Sequence, residues 1–91
     1  MQIELDPAKA ASNLRKHGVS LDEAMGCLLD PLALVHEDEN AQGEVRFVLV
    51  GMSREARLLT VCYTLREEET IRLISARKAT GKEEKQYAQG I

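Results

Sequence analysis

The chain has 91 residues, of which 44% are hydrophobic and 30% charged, the composition of an ordinary globular protein. We expect one domain over residues 1–91, because this length provides for one modest hydrophobic core. The net charge of −3 argues against a protein that binds nucleic acid over its whole surface. Residues 1–43 hold three cations against eight acids, whereas residues 44–91 hold nine cations against seven acids. This asymmetry permits a local anion-binding patch in the second half of the chain.

The chain begins without the basic and apolar segments of a secretory signal, and no stretch approaches the ~18 apolar residues of a membrane span. Its two cysteines, Cys27 and Cys62, lie in apolar runs and form no CxxC pair. Cysteines used in this way are typical of a reducing compartment. We therefore expect a cytoplasmic protein that does not enter a membrane.

A short extended segment over residues 2–5 is predicted to lead into the first helix. Asp6 is a typical N-cap, and Pro7 is preset for the first helical position. This helix is predicted over residues 7–17, because Gly18 supplies the left-handed residue that commonly ends helices.

A second helix is predicted from the spacing of Ser20 and Glu23, which is that of a capping box. Apolar residues follow at the i, i+3, i+4 and i+7 positions of one helical face, namely Leu21, Ala24, Met25 and Leu28. The helix must end before Asp30, because the residue that precedes a proline is driven out of the α region.

After Pro31 the apolar pattern changes from helical to extended. Strands are predicted over residues 32–35, 45–52, 58–65 and 70–78. An acidic loop over residues 37–43 and turns over residues 53–57 and 66–69 separate them. A second capping-box spacing, at Thr80 and Glu83, opens a short last helix toward Tyr87.

These elements predict an α+β fold with a short N-terminal strand, two helices, an antiparallel β-meander of three to four strands with the helices on one face, and a short C-terminal helix. The other face of the sheet would be free for function. The sequence has no P-loop, no dinucleotide-binding glycine motif, no HExxH and no GxSxG. The residues able to bind a metal, His17, His36, Cys27 and Cys62, belong to unrelated elements, so neither a metal nor another cofactor is predicted.

The last turn of the first helix carries Arg15, Lys16 and His17. Cations at this position complement the negative end of the helix dipole, which is a purely structural explanation. The functional alternative makes His17 a proton-transfer group and Lys16 a phosphate ligand.

Arg46 enters an apolar strand two residues after Glu44 and lies on the same side as Val48 and Val50. An arginine in this position either pairs with a carboxylate and stabilises the fold, or directs its guanidinium at a phosphate across the face of the sheet.

The run over residues 70–78 alternates, so Arg72 is predicted on one side of the sheet and Arg77 on the other. Arg77 and Lys78 stand at the strand end, beside the start of the last helix, where backbone N–H groups favour anions. A solvated strand edge is the structural alternative.

Tyr87 is interpreted as an anchor that packs the last helix. The acidic runs over residues 67–69 and 37–39 are interpreted as solvated turns, and the second of them also as a possible interface for a basic partner.

Motifs along nearly the whole chain resemble the BrnT family, whose members share a RelE-like ribonuclease fold. They are Asp6-Pro7-x-Lys9-Ala10-x-Ser12-Asn13-Leu14-Arg15-Lys16-His17-Gly18-Val19, Asp30-Pro31-Leu32-Ala33, Gly43-Glu44-x-Arg46-Phe47 and Arg72-x-Ile74-Ser75-Ala76-Arg77-Lys78-Ala79-Thr80-x-x-Glu83-x-x-x-Tyr87. The first and last of these are specific in combination.

The resemblance implies the toxin of a bacterial type II toxin–antitoxin pair, which cleaves RNA without a metal and inhibits translation and growth. Its partner would be a small BrnA-like antitoxin with a ribbon-helix-helix domain, in a two-to-two complex. This complex would repress its own promoter and contact DNA only through the antitoxin.

Such cleavage proceeds by attack of the RNA 2′-OH on the adjacent phosphate, so it needs a base, an acid and cations over the phosphoryl oxygens. The resemblance implies roles for residues of this chain. They are charge stabilisation by Arg46 and Arg77, RNA binding by Lys16, Arg72 and Lys78, and action as the base by His17 or Glu44.

Two departures from the family pattern stand out. Ile3 and Leu5 replace aromatic residues, a conservative change for a core. The last helix, commonly rich in arginine after the Ala-Thr pair, here reads Gly-Lys-Glu-Glu-Lys-Gln over residues 81–86, which would weaken nonspecific RNA binding.

Two alternatives remain. The first is a BrnT-like interaction module without nuclease activity, which binds an antitoxin and contributes to promoter regulation. Scattered arginines would favour it, whereas convergence of Arg46 and Arg77 on one groove, near His17 or Glu44, would favour the nuclease. The second is an ordinary small cytosolic domain whose charges are solvated faces. A neighbouring ribbon-helix-helix gene is expected only for the nuclease or the module.

Overall fold

The computed structural model describes residues 2–39, 43–67 and 69–90. Within these residues the chain forms three helices and five strands, so the predicted α+β class is confirmed. In chain order they are β1 (Gln2–Glu4), α1 (Pro7–His17), α2 (Leu21–Cys27), β2 (Leu34–Glu37), β3 (Arg46–Met52), β4 (Leu58–Arg66), β5 (Thr70–Lys78) and α3 (Gly81–Gln89). None of the helices in this part of the chain has the length and hydrophobicity needed to span a lipid bilayer.

The predicted helix ends follow from the side chains that cap them. The Asp6 carboxylate accepts the N–H of Ala8 at 2.9 Å, and α1 ends at Gly18 in the left-handed conformation, with φ of 67°. At the start of α3 both halves of the predicted capping box form, between Thr80 and Glu83. Each cap satisfies backbone groups that have no partner inside the helix.

Only half of the capping box predicted for α2 forms. The Ser20 hydroxyl accepts the N–H of Glu23 at 3.0 Å. The Glu23 carboxylate instead accepts hydrogen bonds from Ser53 and Arg57, in the turn between β3 and β4. The hydrogen bond from Arg57 lowers the pKa of Glu23 to about 2. Glu23 therefore ties α2 to this turn rather than closing its own N-terminus.

The sheet is mixed, with the strand order β1-β5-β4-β3-β2. Strands β2 to β5 each pair antiparallel with their neighbours in sequence, whereas β1 pairs parallel with β5. The short N-terminal strand was predicted but its parallel pairing was not, because sixty-five residues separate β1 from β5 and no turn signal links them. Its register sets Ile3 beside Ile71, on the side that faces the core.

Strand β2 begins at Leu34, two residues later than predicted. The Asp30 carboxylate accepts the N–H of Leu32 at 2.9 Å, and its carbonyl accepts the N–H of Ala33 at 3.1 Å. These bonds hold residues 31–33 in a turn, and β2 extends to Glu37, which was predicted in the acidic loop. Residues 40–42 of that loop lie outside the described residues.

An irregularity in β5 corrects the prediction that Arg72 and Arg77 face opposite sides. Cys62 pairs with Ser75 and Tyr63 pairs with Leu73, which leaves Ile74 without a partner on β4. An extra residue of this kind is a β-bulge, and it interrupts strict alternation. Arg72 and Arg77 consequently share one face of the sheet.

The two faces of the sheet are occupied differently. Helices α1 and α2 cover the first face, where the buried core lies; its members are Val19, Leu21, Ala24, Cys27, Leu49, Leu59, Val61, Tyr63, Ile71, Leu73 and Ala76. Helix α3 lies against the second face, since Glu83 accepts a hydrogen bond from Thr60 there, at 2.8 Å. The prediction that all the helices lie on one face is therefore wrong, because α3 lies on the other. Much of the second face nevertheless stays open.

Candidate functional site

Four arginines project from the second face of the sheet, which we call the arginine face. Their strand positions fix this orientation, because residues paired across neighbouring strands point to the same side. The four are Arg46 on β3, Arg66 on β4, and Arg72 and Arg77 on β5. A face of this kind offers guanidinium groups to an anion, and to a phosphate in particular.

One row of side chains crosses four strands at one end of the arginine face. It consists of Arg46, Thr64, Arg72 and Glu4, which are paired in register. Neighbouring strands lie about 4.8 Å apart, so the backbones of Arg46 and Arg72 are about 10 Å from each other. Two surface cavities of about 780 and 710 Å³ adjoin this row, and both are lined by Glu4 and Arg66.

Two arginines near this row form long ion pairs with exposed carboxylates. The Arg46 Nε lies 3.4 Å from Glu44 Oε1, and the Arg66 Nε lies 3.8 Å from Glu4 Oε1. The four side chains are 38% to 54% exposed, so these pairs contribute little to stability. An incoming phosphate could replace either carboxylate at low cost.

Arg72 differs from the other three arginines of the face. Within the described part of the chain its guanidinium makes no hydrogen bond or ion pair with another side chain, although the residue is half-buried. No side chain of the described residues therefore competes with a ligand for its donors.

Arg77 is held by Glu83 at the other end of the face. Its Nη1 donates to Glu83 Oε1 at 2.8 Å and its Nη2 donates to Oε2 at 3.1 Å, a fork-shaped pair. Glu83 Oε1 also accepts the Thr60 hydroxyl and the Thr80 N–H, both at 2.8 Å. The hydrogen bond from Arg77 lowers the pKa of Glu83 to about 2. Arg77 thus joins α3 to the sheet as well as lying on the face.

Substitution Glu83→Gln is expected to lower the free energy of unfolding at pH 7 by about 1 kcal/mol, since the fork with a half-exposed Arg77 is partly screened. The pKa of Glu83 is depressed in the folded state, so its contribution is complete above about pH 4.5 and is lost as the pH falls toward 2. Urea unfolding of both proteins at pH 7, 4 and 2.5 measures the difference, which should shrink with acid. A Glu84→Gln control should show no such convergence.

The middle of the arginine face carries a row of smaller side chains. Val48, Cys62 and Ser75 lie side by side, and His36 extends the row on the edge strand β2. Burial raises the pKa of the Cys62 thiol. Among the described residues no three His, Cys, Asp or Glu side chains come together as metal ligands would.

The last turn of α1 lies at the edge of the sheet rather than on the arginine face. Asn13, which is buried, bonds both the N–H and the C=O of Ala76 on β5, at 3.0 and 2.8 Å, and the C=O of Val19. Lys16 and His17 follow, exposed, with no described side-chain bond to the arginines. Lys78 is paired with Leu59 and so points to the first face. The structure does not bring these three residues to the arginine row.

Tyr87 anchors α3, as the sequence suggested. Its hydroxyl donates to Asp30 Oδ2 at 2.5 Å, and Asp30 Oδ2 also accepts the N–H of Met52 at 2.8 Å. The hydrogen bond to Asp30 raises the pKa of Tyr87 to about 12. The phenol is therefore engaged in holding the helix.

Sequence reasoning missed Glu4, Arg66 and His36 on the arginine face. Arg66 had been assigned to a turn, but β4 continues through it. Glu4 joins the face only through the parallel pairing of β1, which no local pattern announces. His36 could have been found by alternation from Leu34, had the start of β2 been known.

The fold and the arginine face together define a small α+β protein with a sheet surface suited to binding anions. The sequence profile described as "Ribonuclease toxin, BrnT, of type II toxin-antitoxin system" matches residues 5–83. The chain therefore belongs to the family of BrnT ribonuclease toxins of type II toxin–antitoxin systems, in which an antitoxin is the toxin's partner.

Among solved structures, the chain is similar to the crystal structure of the Brucella abortus ribonuclease toxin, BrnT, with a TM-score of 0.68. The match covers 88% of this chain and 97% of that one, at 23% sequence identity. A likeness at this identity establishes a shared fold. The comparison with curated proteins gave no match.

Proposed function

We propose that this protein is a metal-independent endoribonuclease with a RelE-like fold, which cleaves RNA by attack of the 2′-OH on the adjacent phosphate and thereby inhibits translation. The observation that carries the proposal is the gathering of four arginines on one open sheet face. Cations held over the phosphoryl oxygens stabilise the charge that builds up as the 2′-oxygen attacks. Family membership supports the same chemistry.

In this proposal Arg46 and Arg77 stabilise charge, and Arg72 binds the RNA backbone. Arg72 is suited to that role because none of the described side chains binds its donors. Arg77 must exchange its bonds to Glu83 for bonds to phosphate, whereas Arg46 needs to leave only a long pair with Glu44. Lys16 and Lys78 would then bind RNA that extends beyond the face.

The general base is proposed to come from the arginine face. The Glu44 carboxylate lies 3.4 Å from the Arg46 guanidinium. His36 on β2 is paired with Val48, two residues from Arg46 on β3, so His36 and Arg46 are diagonal neighbours. Diagonal neighbours of this kind are within reach of long side chains. His17, on α1 at the sheet edge, is the less favoured alternative.

The partner is proposed to be a BrnA-like antitoxin with a ribbon-helix-helix domain, in a two-to-two complex that contacts DNA only through the antitoxin. Membership in a type II toxin family supports an antitoxin as such. The net charge of −3 makes direct binding of DNA by this chain unfavourable.

A second candidate function is an interaction module without nuclease activity, which binds an antitoxin and contributes to promoter regulation. The ion pairs favour it, because Arg46, Arg66 and Arg77 each have a carboxylate partner. The separation of Arg46 and Arg77 also favours it. Arg77 lies two strands away from β3, in register with Val50, which is four residues along β3 from Arg46.

Incubation of the purified protein with a mixed RNA substrate in EDTA tests the proposal. We expect cleavage that survives the chelator and falls at least tenfold in Arg46→Ala and Arg77→Ala, as removal of a charge-stabilising donor does. Circular dichroism must show that Arg77→Ala remains folded, because this residue also ties α3. Intact RNA at high protein concentration, with and without ribosomes, would support the module instead.

The two histidines form a matched pair for locating the base. If the base lies on the arginine face, His17→Ala should leave the pH profile of cleavage unchanged. The rate rises on the acid side of the profile as the base loses its proton. Loss or displacement of this rise in His36→Ala would assign the base to His36, and the same change in Glu44→Gln would assign it to Glu44. A change in His17→Ala alone would contradict the proposed location.

A further inference from the structure

Strand β2 is an edge of the sheet, opposite the edge formed by β1. The N–H of Asp38 donates to the C=O of Arg46 at 2.8 Å, which identifies the hydrogen-bonded positions of the β2–β3 ladder. Backbone groups alternate in direction along a strand, so His36 and Leu34, like Asp38, are bonded to β3. Val35 and Glu37, which lie between them, direct their own N–H and C=O groups away from β3. These backbone groups are a template on which another strand can pair.

Apolar side chains accompany this edge. Val35 is 50% exposed, and Leu32 and Leu29, in the turn that leads into β2, are 69% and 68% exposed. Three large aliphatic side chains exposed within seven residues are typical of an interaction surface rather than of a solvated loop.

The far end of β2 is acidic. Two surface cavities of about 360 and 380 Å³ adjoin it, and both are lined by Glu37, Asp38 and Glu39. Glu44 lines the first of them and His36 the second, and none of the described residues that line either cavity is a lysine or an arginine. The potential at this end of the strand therefore favours positive charge.

We propose that the β2 edge binds an extended segment of a partner protein, which adds a strand to the sheet. Strand addition takes its affinity from main-chain bonds and its specificity from alternate side chains. The segment that fits has an apolar residue beside Val35 and basic residues beside Glu37 and Glu39. This inference deepens the partner part of the proposed function, since the antitoxin is the protein expected to supply the segment.

The same charges disfavour two other occupants. A second copy of this chain, paired through its own β2, has no lysine or arginine over residues 33–39 to meet the carboxylates. An RNA strand would bring phosphates against Glu37 and Glu39. The edge is thereby distinguished from the arginine face, which suits the opposite charge.

A synthetic peptide with the sequence Thr-Lys-Thr-Lys-Thr-Val-Thr, labelled with fluorescein, serves as the probe. In antiparallel addition its valine lies beside Val35 and its lysines beside the carboxylates. Fluorescence anisotropy with the full chain should show binding that is at least tenfold weaker for Glu37→Lys/Glu39→Lys, because this variant places like charges opposite each other. The matched control, Glu67→Lys/Glu84→Lys, makes the same charge change elsewhere and should bind like wild type.

Val35→Pro removes one outward N–H without removing a bond of the β2–β3 ladder, and it should also weaken binding. Equal binding of a peptide with glutamate in place of lysine, or wild-type binding by the Glu37/Glu39 variant, would overturn the proposal. Sedimentation showing a dimer that Val35→Pro dissociates would also overturn it, in favour of a second copy. Peptide binding is measured without RNA, so the result does not depend on whether the protein is a nuclease.

Discussion

Replacement of Arg72 by alanine is expected to lower kcat/KM for RNA cleavage by about 10- to 100-fold, the worth of one hydrogen bond to a charged group. Arg72 is the arginine of the face that has no side-chain partner among the described residues, so its whole donor set is available to phosphate. It stands in register with Arg46 and Thr64, next to a cavity of about 710 Å³. Because the substitution breaks no ion pair between described residues, the stability of the protein should change little.

The salt dependence of binding separates this role from a general effect of charge. Loss of one phosphate contact should reduce the slope of log K against log salt by about 0.7 for single-stranded RNA. Arg54→Ala is the matched control, since it removes the same charge from the turn between β3 and β4, outside the arginine face. An equal loss of activity and slope in both variants would mean that only the net charge matters.

Replacement of Asn13 by alanine is expected to lower the free energy of unfolding by about 3 kcal/mol, because it leaves buried backbone groups without partners. The Asn13 side chain bonds the N–H and C=O of Ala76 in the manner of a neighbouring strand, at a place where the short β1 does not reach. It also bonds the C=O of Val19, which begins the connection to α2. One amide therefore closes the edge of β5 and fixes the end of α1.

Urea unfolding followed by circular dichroism measures this loss, and Ser12→Ala on the same helix is the control. Asn13→Asp refines the test, because a carboxylate can still accept the N–H of Ala76 but cannot donate to either carbonyl. We expect it to be as destabilising as alanine at pH 7. A loss below about 1 kcal/mol in Asn13→Ala would mean that water replaces the amide at this edge.

The elements that sequence predicted best are those set by neighbouring residues. The bounds of α1 were found because Asp6 and Gly18 act locally, and α3 was found from Thr80 and Glu83. The features that were missed depend on distant residues. Glu23 exchanges its expected cap for a bond to Arg57, and the start of β2 is delayed by a turn that Asp30 holds.

The candidate site shows the same division. The sequence singled out Arg46, Arg72 and Arg77, and all three lie on the arginine face, yet it put Arg72 and Arg77 on opposite sides. Their chemical suitability could be judged from residue type and position. Their common orientation could not, because it depends on pairing with β4. The role of His17 stays a prediction, and its position could not be read from the sequence for a related reason: Asn13 fixes α1 at the sheet edge through a bond to a distant strand.

The bulge at Ile74 has a consequence for how this strand can change in evolution. Arg72 and Arg77 are five residues apart, an odd spacing that would separate them on a regular strand, and the extra residue restores them to one side. Deletion of Ile74 would leave them four apart on a regular strand, still on one side. A one-residue deletion here is therefore neutral for the arginine face. An insertion before Ile71 would instead disturb the packing of the core and the pairing of β5 with β1. Relatives that differ in length between these two arginines can still present the same surface.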